Sequence, residues 1–470
     1  MIARYLTATL AAGALLALPT AADAASNLYI SGGGDGHGIG MSQYGAYGYA
    51  LHGWTYEHIL GHYYQGTGLR TTDPARTVRV LLGTGAYGSP SFSGATSAVA
   101  PRGTNQPVPL SSGQTYSVQA AAGGQVALYD SSGHQLASVR PPLVVSGPGP
   151  VDFQGHGQYH GALEFRWSSG PRVQTVNALG LDDYVRGVVS AEMPASWPTQ
   201  ALEAQAVAAR TYAITTSVAG NGYGLYSDTR SQMYRGVAAE TSNTDAAVAA
   251  TRGQVVTLKG TPVTTYFFAS SGGHTESIQD AWPGSSADSW LRGVEDPYDN
   301  AGGNPYYRWS VRVTLASAAA DLGSLVKGSL QGINVTHTGA SPRVVQASVV
   351  GSHGTTTVTG AQLQGIFGLM STWMAFSTIS TTAPRSSIRY ARMATFGYQS
   401  AAPLALAGSV APAPRSGGRL SVQRLYGGGW RTALSSVSVT SRGTYRVHLQ
   451  AAGQYRVVYR GMYGPAVSVG

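Results

Sequence analysis

The sequence predicts an α+β fold that is mostly β, and the spacing of its apolar residues is the main evidence. Short segments of alternating apolar and polar residues, separated by Gly, Ser and Pro, recur along most of the 470 residues. Residues 181–219 instead repeat apolar residues at spacings of three and four, which is the helical period. We therefore expect a pair of helices set among sheets, followed by a C-terminal β-sandwich in residues 403–470.

The composition and charge of the chain exclude several classes of protein. Apolar residues make up 43% of the sequence, enough for a large core in two or three domains. Cysteine is absent, which excludes disulfides, thiol catalysis and zinc sites built from cysteine. The net charge of +9 suits anionic wall polymers or membrane surfaces as partners, although it could equally serve solubility alone. No basic run resembles a nucleic-acid-binding arm, so we expect no nucleic-acid partner, and we expect no cofactor.

The first 24 residues have the pattern of a secretory signal peptide. Arg4 gives a short positive start, residues 6–18 form an apolar stretch, and Ala22-Asp23-Ala24 fits the small-residue rule for cleavage. The apolar stretch is short for a membrane span, which needs ~20 residues. We expect cleavage after Ala24 and a secreted protein. Contact with the membrane is expected only if the signal stays uncleaved as an anchor.

A glycine-rich loop, residues 32–40, comes next and leads into two helices, which we predict at 42–53 and 56–64. The run GHGIGMSQYGA places His37 between two glycines, where its ring can face a groove. In the same run Gln43 can both donate and accept hydrogen bonds. A tight loop that merely leads into a helix is the alternative interpretation.

Two histidines on the second of these helices raise the question of a metal site. His58 and His62 stand four residues apart, a spacing that puts both on one face of a helix. The H-E-x-x-H order is absent, because Glu57 precedes His58. We therefore expect two surface histidines and no metal.

The strands are predicted from period-two alternation. Residues 76–176 show it most clearly at 78–82 and 163–167, and it resumes between residues 255 and 350. An Ala-, Pro- and Ser-rich stretch at 383–402 predicts a linker before the C-terminal sandwich. Because that last part holds no cluster of acids and bases, we expect the chemistry to be independent of it.

The helical pair has clear start and stop signals. The first helix is predicted to begin at Asp182, its expected N-cap, and to end near Met193, where Pro194 stops it. The second is predicted to begin near Ser196 and to continue through Ala213.

Glu192 lies at the end of the first helix and is the candidate general acid. The C-terminal end of a helix carries partial negative charge, which makes a carboxylate there harder to ionise. Burial against Val188, Met193 and Trp197 would raise the pKa of Glu192 further. General-acid catalysis requires a carboxyl group that keeps its proton near neutral pH. An ordinary surface glutamate at a helix end is the alternative.

Two further sets of polar residues could face the same cleft. Gln205 and Arg210 lie on the Ala-rich second helix, which can pack closely and still point a donor into a cleft; a solvated helix face is the alternative. Ser270, Ser271 and His274, in FFASSGGHTES, suggest a serine hydrolase. The G-x-S-x-G motif of many such enzymes is absent, and a simple turn of small residues is the alternative.

Several longer motifs together resemble one known family. They are YVRGVVSAEM at 184–193, PASWPTQALEAQAVAARTYA at 194–213, DTRSQMYRG at 228–236, SSGGHTE at 270–276, VEDPYD at 294–299 and GIFGLMSTW at 365–373. Along most of residues 32–376 the chain resembles the stage II sporulation protein D family, the SpoIID/LytB domain of peptidoglycan lytic transglycosylases. In that family the glycine-histidine motif often comes near the end of the domain, whereas here it comes first. This permuted order implies that the N-terminal segment folds back beside Met374.

The resemblance implies a domain at 25–382, with the glycine-histidine segment at 32–69, a β-rich part at 76–176 and a catalytic core at 177–380. It implies that Glu192 is the catalytic acid of a lytic transglycosylase, which cleaves between N-acetylmuramic acid and N-acetylglucosamine and leaves a 1,6-anhydro end. This reaction uses no water, so one carboxyl group suffices where a hydrolase uses two. The residues implied to bind the substrate are His37, Gln43, Gln205, Arg210, Tyr212, Gln232, Tyr234, Ser270, Ser271, Gly272 and His274.

Two alternatives belong to other classes of function. The family name also covers proteins described as amidase enhancers, so the chain could be a non-catalytic peptidoglycan-binding protein whose partner is a cell-wall amidase. A serine-type wall hydrolase that uses Ser271 and His274 would leave the Glu192 motif unexplained. In each case the expected partner is the peptidoglycan glycan strand, and the expected location is extracellular and associated with the cell wall.

Overall fold

The computed structural model of the protein describes residues 25–84, 89–102, 106–218, 222–383 and 404–470. The predicted signal peptide and all but the first residue of the predicted linker lie outside these ranges. The described part is mostly β-structure and contains eight α-helices, which confirms the α+β class.

The N-terminal segment combines short strands with two helices. Its elements are β1 (Ala25–Gly32), β2 (Met41–Ser42), α1 (Gln43–Leu51), α2 (Tyr56–Tyr63) and β3 (Gly68–Thr71). Each end of the two helices falls within two residues of its predicted position. α1 begins where it does because Ser42 caps it, with Ser42 Oγ accepting the N–H of Gly45 at 3.1 Å.

The next hundred residues are strands, as their alternation predicts. They are β4 (Thr77–Thr84), β5 (Ser91–Ser93), β6 (Ser97–Val99), β7 (Val108–Pro109), β8 (Tyr116–Ala121), β9 (Gln125–Tyr129), β10 (Gln135–Val139), β11 (Leu143–Ser146), β12 (Val151–Phe153), β13 (Gly157–Tyr159), β14 (Ala162–Trp167) and β15 (Val173–Gly180). They form two sheets, in the orders β4-β15-β14-β11-β6-β7 and β10-β9-β8-β5-β12-β13. β15, the last of these strands in chain order, lies between β4 and β14 and leads directly into the helical pair.

The helical part of the molecule follows. Its elements are α3 (Leu181–Glu192), α4 (Thr199–Thr215), β16 (Leu225–Tyr226), α5 (Ser242–Ala250), β17 (Gln254–Leu258), β18 (Thr261–Pro262), β19 (Phe267–Phe268) and α6 (Ile278–Ala281). β16 extends the first sheet beside β4, β17 pairs with β3 and β18, and β19 pairs with β2. The N-terminal segment is therefore paired with this part at two places.

Two predicted helix starts need correction. α3 begins after Gly180 rather than at Asp182, because the Asp182 carboxylate accepts a hydrogen bond from Arg210 Nε at 2.6 Å instead of capping the helix. α4 begins at Thr199 rather than near Ser196, because Pro198 has an extended backbone (φ −54°, ψ 140°) and stands before the first turn.

The remaining strands and helices complete the fold. Up to residue 382 they are β20 (Trp309–Thr314), α7 (Leu315–Leu322), β21 (Leu330–Thr338), β22 (Val344–Gly351), β23 (Gly354–Thr359), α8 (Gly360–Phe367) and β24 (Met374–Thr382). The C-terminal region consists of β25 (Ala405–Ala411), β26 (Gly418–Tyr426), β27 (Gly429–Val439), β28 (Thr444–His448), β29 (Gly453–Tyr459), β30 (Met462–Tyr463) and β31 (Val467–Val469).

The N-terminal strand lies inside a five-stranded sheet of order β20-β1-β24-β25-β28. β1 is antiparallel to β24, with Gly32 opposite Met374. Beyond the strand, the Ser371 hydroxyl donates to the carbonyl oxygen of Gly33 at 2.7 Å. The segment thus lies where the permuted order of the motifs places it, beside the residues that end at Met374.

The described part of the chain has four hydrophobic clusters, of which the smallest consists of Leu81, Val176 and Tyr223. The largest joins α1 and α2 to the β-rich part and to α3, α4 and α5. A second lies between β1, α7, α8 and the β21-β22-β23 sheet. The third fills the C-terminal region and also includes Ile379 of β24, with Tyr29 of β1 packed against it. The C-terminal strands therefore share both a sheet and a core with the part before residue 383.

Candidate active site

Glu192 is the last residue of α3, and the local sequence fixes that position. α3 buries an apolar face that includes Val185 and Val188, so its rotation about its own axis is set by the core. Met193 then adopts an extended backbone (φ −128°, ψ 142°) ahead of Pro194, which cannot continue the helix. The Glu192 carboxyl group therefore stands at the C-terminal end of the helix, as the sequence predicts.

Two hydrogen bonds hold the Glu192 carboxyl group. The backbone N–H of Met233 donates to Oε1 at 2.8 Å, and Gln43 Nε2 donates to Oε2 at 3.1 Å. The two donors come from opposite directions along the chain, 41 residues after Glu192 and 149 residues before it. Each carboxyl oxygen thus has one donor, and the group has a fixed orientation.

Two opposing effects act on the pKa of Glu192. Burial raises the pKa of Glu192 above its ordinary value, because removal from water disfavours the carboxylate. The hydrogen bonds from Met233 and Gln43 lower the pKa, because both donors favour the charged form. A carboxyl group with a raised pKa and two donors for its anion can give up a proton and take one back.

Gln43 reaches Glu192 because the start of α1 is anchored. Ser42 Oγ accepts the N–H of Gly45 and donates to Asp299 Oδ1 at 2.7 Å, so the first turn is held from both sides. The Gln43 side chain is buried. A Cβ atom at Gly45 would come within 2.0 Å of a neighbouring side chain, so glycine is required for this close packing.

Two buried aspartates, Asp296 and Asp299, form a polar network behind the start of α1. Ser270 Oγ donates to Asp299 Oδ2 at 2.7 Å. Asp296 accepts from Ser271 Oγ at 2.8 Å and from the Tyr63 hydroxyl at 2.9 Å. Burial, together with the nearby charge of Asp299, raises the pKa of Asp296 to about 8.

This network includes Ser270, Ser271 and Gly272, whose predicted contact with substrate stays a prediction. All three residues are buried, and both serine hydroxyls donate to aspartates. The N–H of Gly272 donates to Asp299 Oδ2 at 2.9 Å. The hydrogen bonds to Asp296 and Asp299 fix the turn at residues 270–272 and pair these polar groups within the protein.

His274 does not form a catalytic pair with Ser271. His274 Nδ1 lies 2.7 Å from the carbonyl oxygen of Thr275, whereas the Ser271 hydroxyl donates to Asp296. A serine nucleophile needs a base within hydrogen-bond reach. The geometry therefore gives no support to the serine-hydrolase alternative. His274 is partly exposed, and its predicted role in substrate binding stays a prediction.

His37 lies in an aromatic environment. Its Nδ1 accepts the N–H of Ile39 at 3.0 Å, and its ring centroid lies 5.3 Å from that of Trp282 and 5.4 Å from that of Phe268. Burial and the nearby charge of Arg343 lower the pKa of His37 to about 4. The imidazole is therefore neutral at physiological pH, and its contacts are with these groups rather than with Glu192.

Gln232 is buried beside Met233, the backbone donor to Glu192, and Gln205 is buried in α4. Gln232 Nε2 donates to the Tyr184 hydroxyl at 3.2 Å and to the carbonyl oxygen of Ala209 at 3.3 Å. The charge of Glu192 adds to the effect of burial in raising the pKa of Tyr184, which places that phenol close to the carboxyl group. Gln205 is fully buried one helical turn before Ala209, on the same side of α4. Among the described residues the buried Gln205 amide has no hydrogen-bond partner, and the predicted contact of both glutamines with substrate stays a prediction.

Arg210 and Tyr234 are also buried, and their predicted contact with substrate stays a prediction. Arg210 is fully buried, with Nε bonded to Asp182 and the rest of its guanidinium donating to backbone carbonyls near α5 and β17. The Tyr234 hydroxyl donates to Asn177 Oδ1 at 2.6 Å. Both side chains tie the helices to the sheet, because a buried charge or hydroxyl must find a partner inside the protein.

The sequence patterns did not single out the aromatic group at the start of α1. Ring centroids of Tyr44 and Tyr47 lie 5.0 Å and 4.7 Å from that of Trp197, and Tyr306 lies 5.9 Å from Tyr44. All four rings are partly exposed. Trp197 follows Glu192 by five residues, and Tyr44 follows Gln43, the hydrogen-bond donor to Glu192. This closeness in sequence could have indicated that the rings lie near the site. Partly exposed rings of this kind combine a flat apolar face with a polar edge.

Tyr212 is the remaining predicted residue with an accessible side chain. It is partly exposed on α4, and its ring centroid lies 5.9 Å from that of Tyr266 and 6.3 Å from that of Phe267. Its predicted contact with substrate stays a prediction.

In the described part of the chain, no cluster of three or more His, Cys, Asp or Glu residues is arranged to hold a metal ion. No helix there combines the length and apolar character that a membrane crossing needs.

The fold and the site define an α+β protein with a partly buried carboxyl group at a helix end, held by donors from two distant segments. Residues 169–258 match the family described as Stage II sporulation protein, SpoIID. The matched region runs from β15 to β17 and includes Glu192. This part of the chain is therefore similar to the SpoIID family.

Three characterised or named relatives show how far the similarity extends. Stage II sporulation protein D of Bacillus subtilis (strain 168) is 34% identical over 174 residues, which are 33% of this chain and 49% of that protein. The protein of the same name from Bacillus amyloliquefaciens is 33% identical over 27% of this chain and 41% of its own length. A protein named Amidase enhancer, from Bacillus subtilis (strain 168), is 38% identical over 30% of this chain and 18% of its own length. The chain thus spans half or less of the length of each relative.

Proposed function

We propose that the protein is a secreted, cell-wall-associated lytic transglycosylase that cleaves the peptidoglycan strand between N-acetylmuramic acid and N-acetylglucosamine. The observation that supports this most strongly is the state of Glu192, which has a raised pKa and one hydrogen-bond donor on each carboxyl oxygen. The SpoIID match includes this residue. The aromatic rings of Tyr44, Tyr47 and Trp197 provide apolar faces of the kind that pack against sugars.

The first step uses protonated Glu192 as a general acid. Its proton passes to the glycosidic oxygen, so that the bond between that oxygen and C1 of the muramic acid residue breaks and the glucosamine residue leaves with a hydroxyl group. The carboxylate that forms is stabilised by the N–H of Met233 and the amide of Gln43. Both donors are already in place, so no rearrangement is needed to stabilise the new charge.

The second step uses the Glu192 carboxylate as a general base. It takes the proton from the C6 hydroxyl of the muramic acid residue while that oxygen bonds to C1 and closes the 1,6-anhydro ring. Glu192 then holds a proton again, and no water is consumed. A hydrolase of the usual kind needs a second carboxyl group for water or for covalent attack. The sequence has no second acidic residue in a context comparable with that of Glu192, which supports the non-hydrolytic route.

The experiment that tests the proposal is digestion of purified peptidoglycan followed by mass analysis of the products. The wild-type protein should release fragments with 1,6-anhydro ends, and Glu192→Gln should release none while melting at the same temperature. Glu57→Gln, at an exposed position in the first turn of α2, is the matched control and should behave as wild type. Products with ordinary reducing ends, or full activity in Glu192→Gln, would disprove the assignment.

A second candidate function is stimulation of a cell-wall amidase without cleavage of glycan. It is favoured by the similarity to the Bacillus subtilis protein named Amidase enhancer. The same variant separates the two candidates, because a stimulating protein should raise the rate of a purified wall amidase equally well with Glu192→Gln. If stimulation is seen and anhydro ends are not, the second candidate replaces the first.

A further inference from the structure

The C-terminal region carries most of the positive charge of the protein. Residues 404–470 contain eight arginines and no lysine, aspartate or glutamate. Residues 25–383 contain 18 basic and 20 acidic residues, so their formal charge is slightly negative. None of the eight arginines forms an ion pair with another residue that the structure describes. Their charge is therefore available to an anionic partner outside the protein.

Two of these arginines stand directly opposite each other on neighbouring strands. Arg424 of β26 is the register partner of Arg431 of β27, and the side chains of such a pair project from the same face of a sheet. Like charges in this position repel each other, and the region has no acidic side chain that could lie between them. Nε of Arg424 is buried and has no hydrogen-bond partner among the described residues. An anion that faces both guanidinium groups would relieve the repulsion.

The pair is held in place at the end of the β26–β27 hairpin. A terminal nitrogen of Arg424 donates to the carbonyl oxygen of Ala452 at 2.6 Å, and its guanidinium carbon lies 5.8 Å from the ring centroid of Tyr455. The guanidinium carbon of Arg431 lies 5.7 Å from the ring centroid of Tyr426, a side chain that is 62% exposed. Both arginines therefore lie against aromatic rings, at an end of the hairpin that is open to solvent.

The opposite face of the same sheet presents Arg456 of β29. Its guanidinium carbon lies 4.4 Å from the ring centroid of Trp430 and 4.2 Å from that of Tyr463. Its Nε donates to Oε1 of Gln423, its register partner, at 2.8 Å. Because Gln423 directly precedes Arg424 in β26, Arg424 and Arg456 project from opposite faces. Positive charge is thus present on both faces of this sheet.

These features distinguish between the kinds of anionic partner. A membrane surface meets a protein from one side, whereas these arginines project from both faces of the sheet. Single-stranded nucleic acids bind through bases that stack on open aromatic rings, but guanidinium groups already cover Trp430 and Tyr463. A carboxylate pairs with one planar guanidinium through two parallel hydrogen bonds. A phosphate group has oxygens in a tetrahedral arrangement and can face two guanidinium planes at once, so a flexible phosphate polymer fits best.

We propose that the C-terminal region binds a flexible phosphate polymer of the cell wall, with one phosphate group between Arg424 and Arg431. The choice of a wall polymer rests on the proposed function, which makes the protein a cell-wall enzyme. Each of the two guanidinium groups donates to a different oxygen of that phosphate, and Arg456 binds a further phosphate of the same chain on the other face. The C-terminal region then holds the protein on the wall while the part before residue 383 acts on the glycan.

The test is a binding measurement by calorimetry, at low salt, with the full protein and purified polyglycerol phosphate. Wild type should bind, and R424Q/R431Q should weaken binding about tenfold or more, because charge-assisted hydrogen bonds are lost. R424K/R431K keeps the charge but loses the planar fork, and should weaken binding about threefold or more. R140Q/R172Q removes the same charge from exposed positions before residue 383 and should leave the affinity unchanged. Melting by circular dichroism checks that all three double variants fold.

Other anions test the identity of the partner. Polyglutamate, vesicles of phosphatidylglycerol and single-stranded DNA should each bind more weakly than polyglycerol phosphate at the same concentration of negative charge. Tighter binding of any of the three would overturn the inference. Absence of binding to polyglycerol phosphate, or equal affinity in wild type and R424Q/R431Q, would overturn it too.

The result can be separated from the test of Glu192. Glu192→Gln should bind polyglycerol phosphate as tightly as wild type, and R424Q/R431Q should cleave soluble glycan at the wild-type rate. A failure to find anhydro ends would count against the proposed function alone, since the affinity for the phosphate polymer is measured without cleavage.

Discussion

Glu192 and Gln43 are joined by one hydrogen bond of 3.1 Å between side chains that stand 149 positions apart. The bond matters because it opposes the effect of burial on the pKa of Glu192. A carboxyl group that is only buried would hold its proton too firmly to release it. The amide of Gln43 and the N–H of Met233 therefore tune the same group from two sides.

We expect Gln43→Leu to raise the pKa of Glu192 further, because the carboxylate loses a donor that favours its charged form. If cleavage begins from protonated Glu192, the alkaline limb of the pH–rate profile should move to higher pH. The maximal rate should fall about tenfold, because the carboxylate formed in the first step is less stabilised. Gln279→Leu, at an exposed position in α6, is the control and should leave both unchanged. A rate that falls with no shift of the limb would count against this role.

Asp296 should make stability depend on pH. Its pKa is about 8 in the folded protein against an ordinary value of 3.8, so the folded state keeps a proton that the unfolded chain has lost. The stabilisation is complete below about pH 4 and is lost as the pH rises toward 8, by up to ~1.4 kcal/mol per pH unit. Urea unfolding between pH 5 and 8 should show this slope in wild type and a flatter one in Asp296→Asn. Asp321→Asn, at an exposed position in α7, should keep the wild-type slope.

The position of Glu192 could be predicted from the sequence, whereas the partners of Ser270 and Ser271 could not. The position of Glu192 follows from the helical period and from Pro194, all within a few residues. The hydrogen bonds of Ser270 and Ser271 could not be predicted from the sequence, because their partners are 29 and 25 residues further along the chain. No local pattern connects a serine with a buried aspartate at such a distance.

The two N-terminal helices belong to the main core. α2 buries Ile59, Leu60 and Tyr63, and these side chains are part of the largest hydrophobic cluster. α1 supplies Gln43 to Glu192, so the packing of α2 and the chemistry of the site are linked through α1. Removal of residues 32–69 should therefore cost several kcal/mol, at ~1.5–3 kcal/mol for each large apolar side chain that loses its burial.

A pair of leucines in this segment gives a sharper test than its removal. Leu60→Ala should lower the free energy of unfolding by ~2–5 kcal/mol, because Leu60 is 2% exposed and leaves a cavity. Leu51→Ala should change it by less than ~0.5 kcal/mol, because Leu51 is 53% exposed. Urea unfolding of the two variants measures both values. Equal and small effects would show that the segment is not part of the core.

Helices were predicted more closely than the pairing of strands, because a helix is held by local hydrogen bonds. The ends of α1 and α2 were placed within two residues, and the start of α4 was missed only because Pro198 stands before its first turn. Period-two alternation identified strands, but it has no information about partners. The pairing of β24 with β25 is one that alternation could not predict.

The C-terminal region is joined to the rest of the molecule more closely than a linker sequence suggests. β25 pairs with β24, opposite residues 378–382. Ile379 of β24 is fully buried in the C-terminal cluster, and the Thr381 and Tyr445 hydroxyls lie 2.9 Å apart. Whether cleavage needs the C-terminal region and whether the stability of the fold needs it are therefore two separate questions.

We expect a protein that ends at residue 383 to keep its cleavage activity and to be less stable than the full chain. Glu192 and its donors lie outside the C-terminal region, so the chemistry should persist on soluble glycan. Ile379 would lose its cover, at ~1.5–3 kcal/mol, and β24 would become an exposed edge that favours association. Thermal melting, gel filtration and the glycan assay measure the three effects. A shortened protein that is folded but inactive would show that the chemistry depends on this region.

The place of β1 between β20 and β24 has a consequence for the order in which the protein is made. Asn27 of β1 is opposite Thr314 on one side and Ile379 on the other, so both neighbours are synthesised long after it. Pairings between such distant segments form slowly, because a long loop must close first. Gln43 lies beyond the glycine-rich loop and β2, and Ser42 beside it is held by Asp299, so Glu192 gains its second donor only after Asp299 has been synthesised. A nascent chain of this protein carries its reactive carboxyl group early and completes the surroundings of that group last.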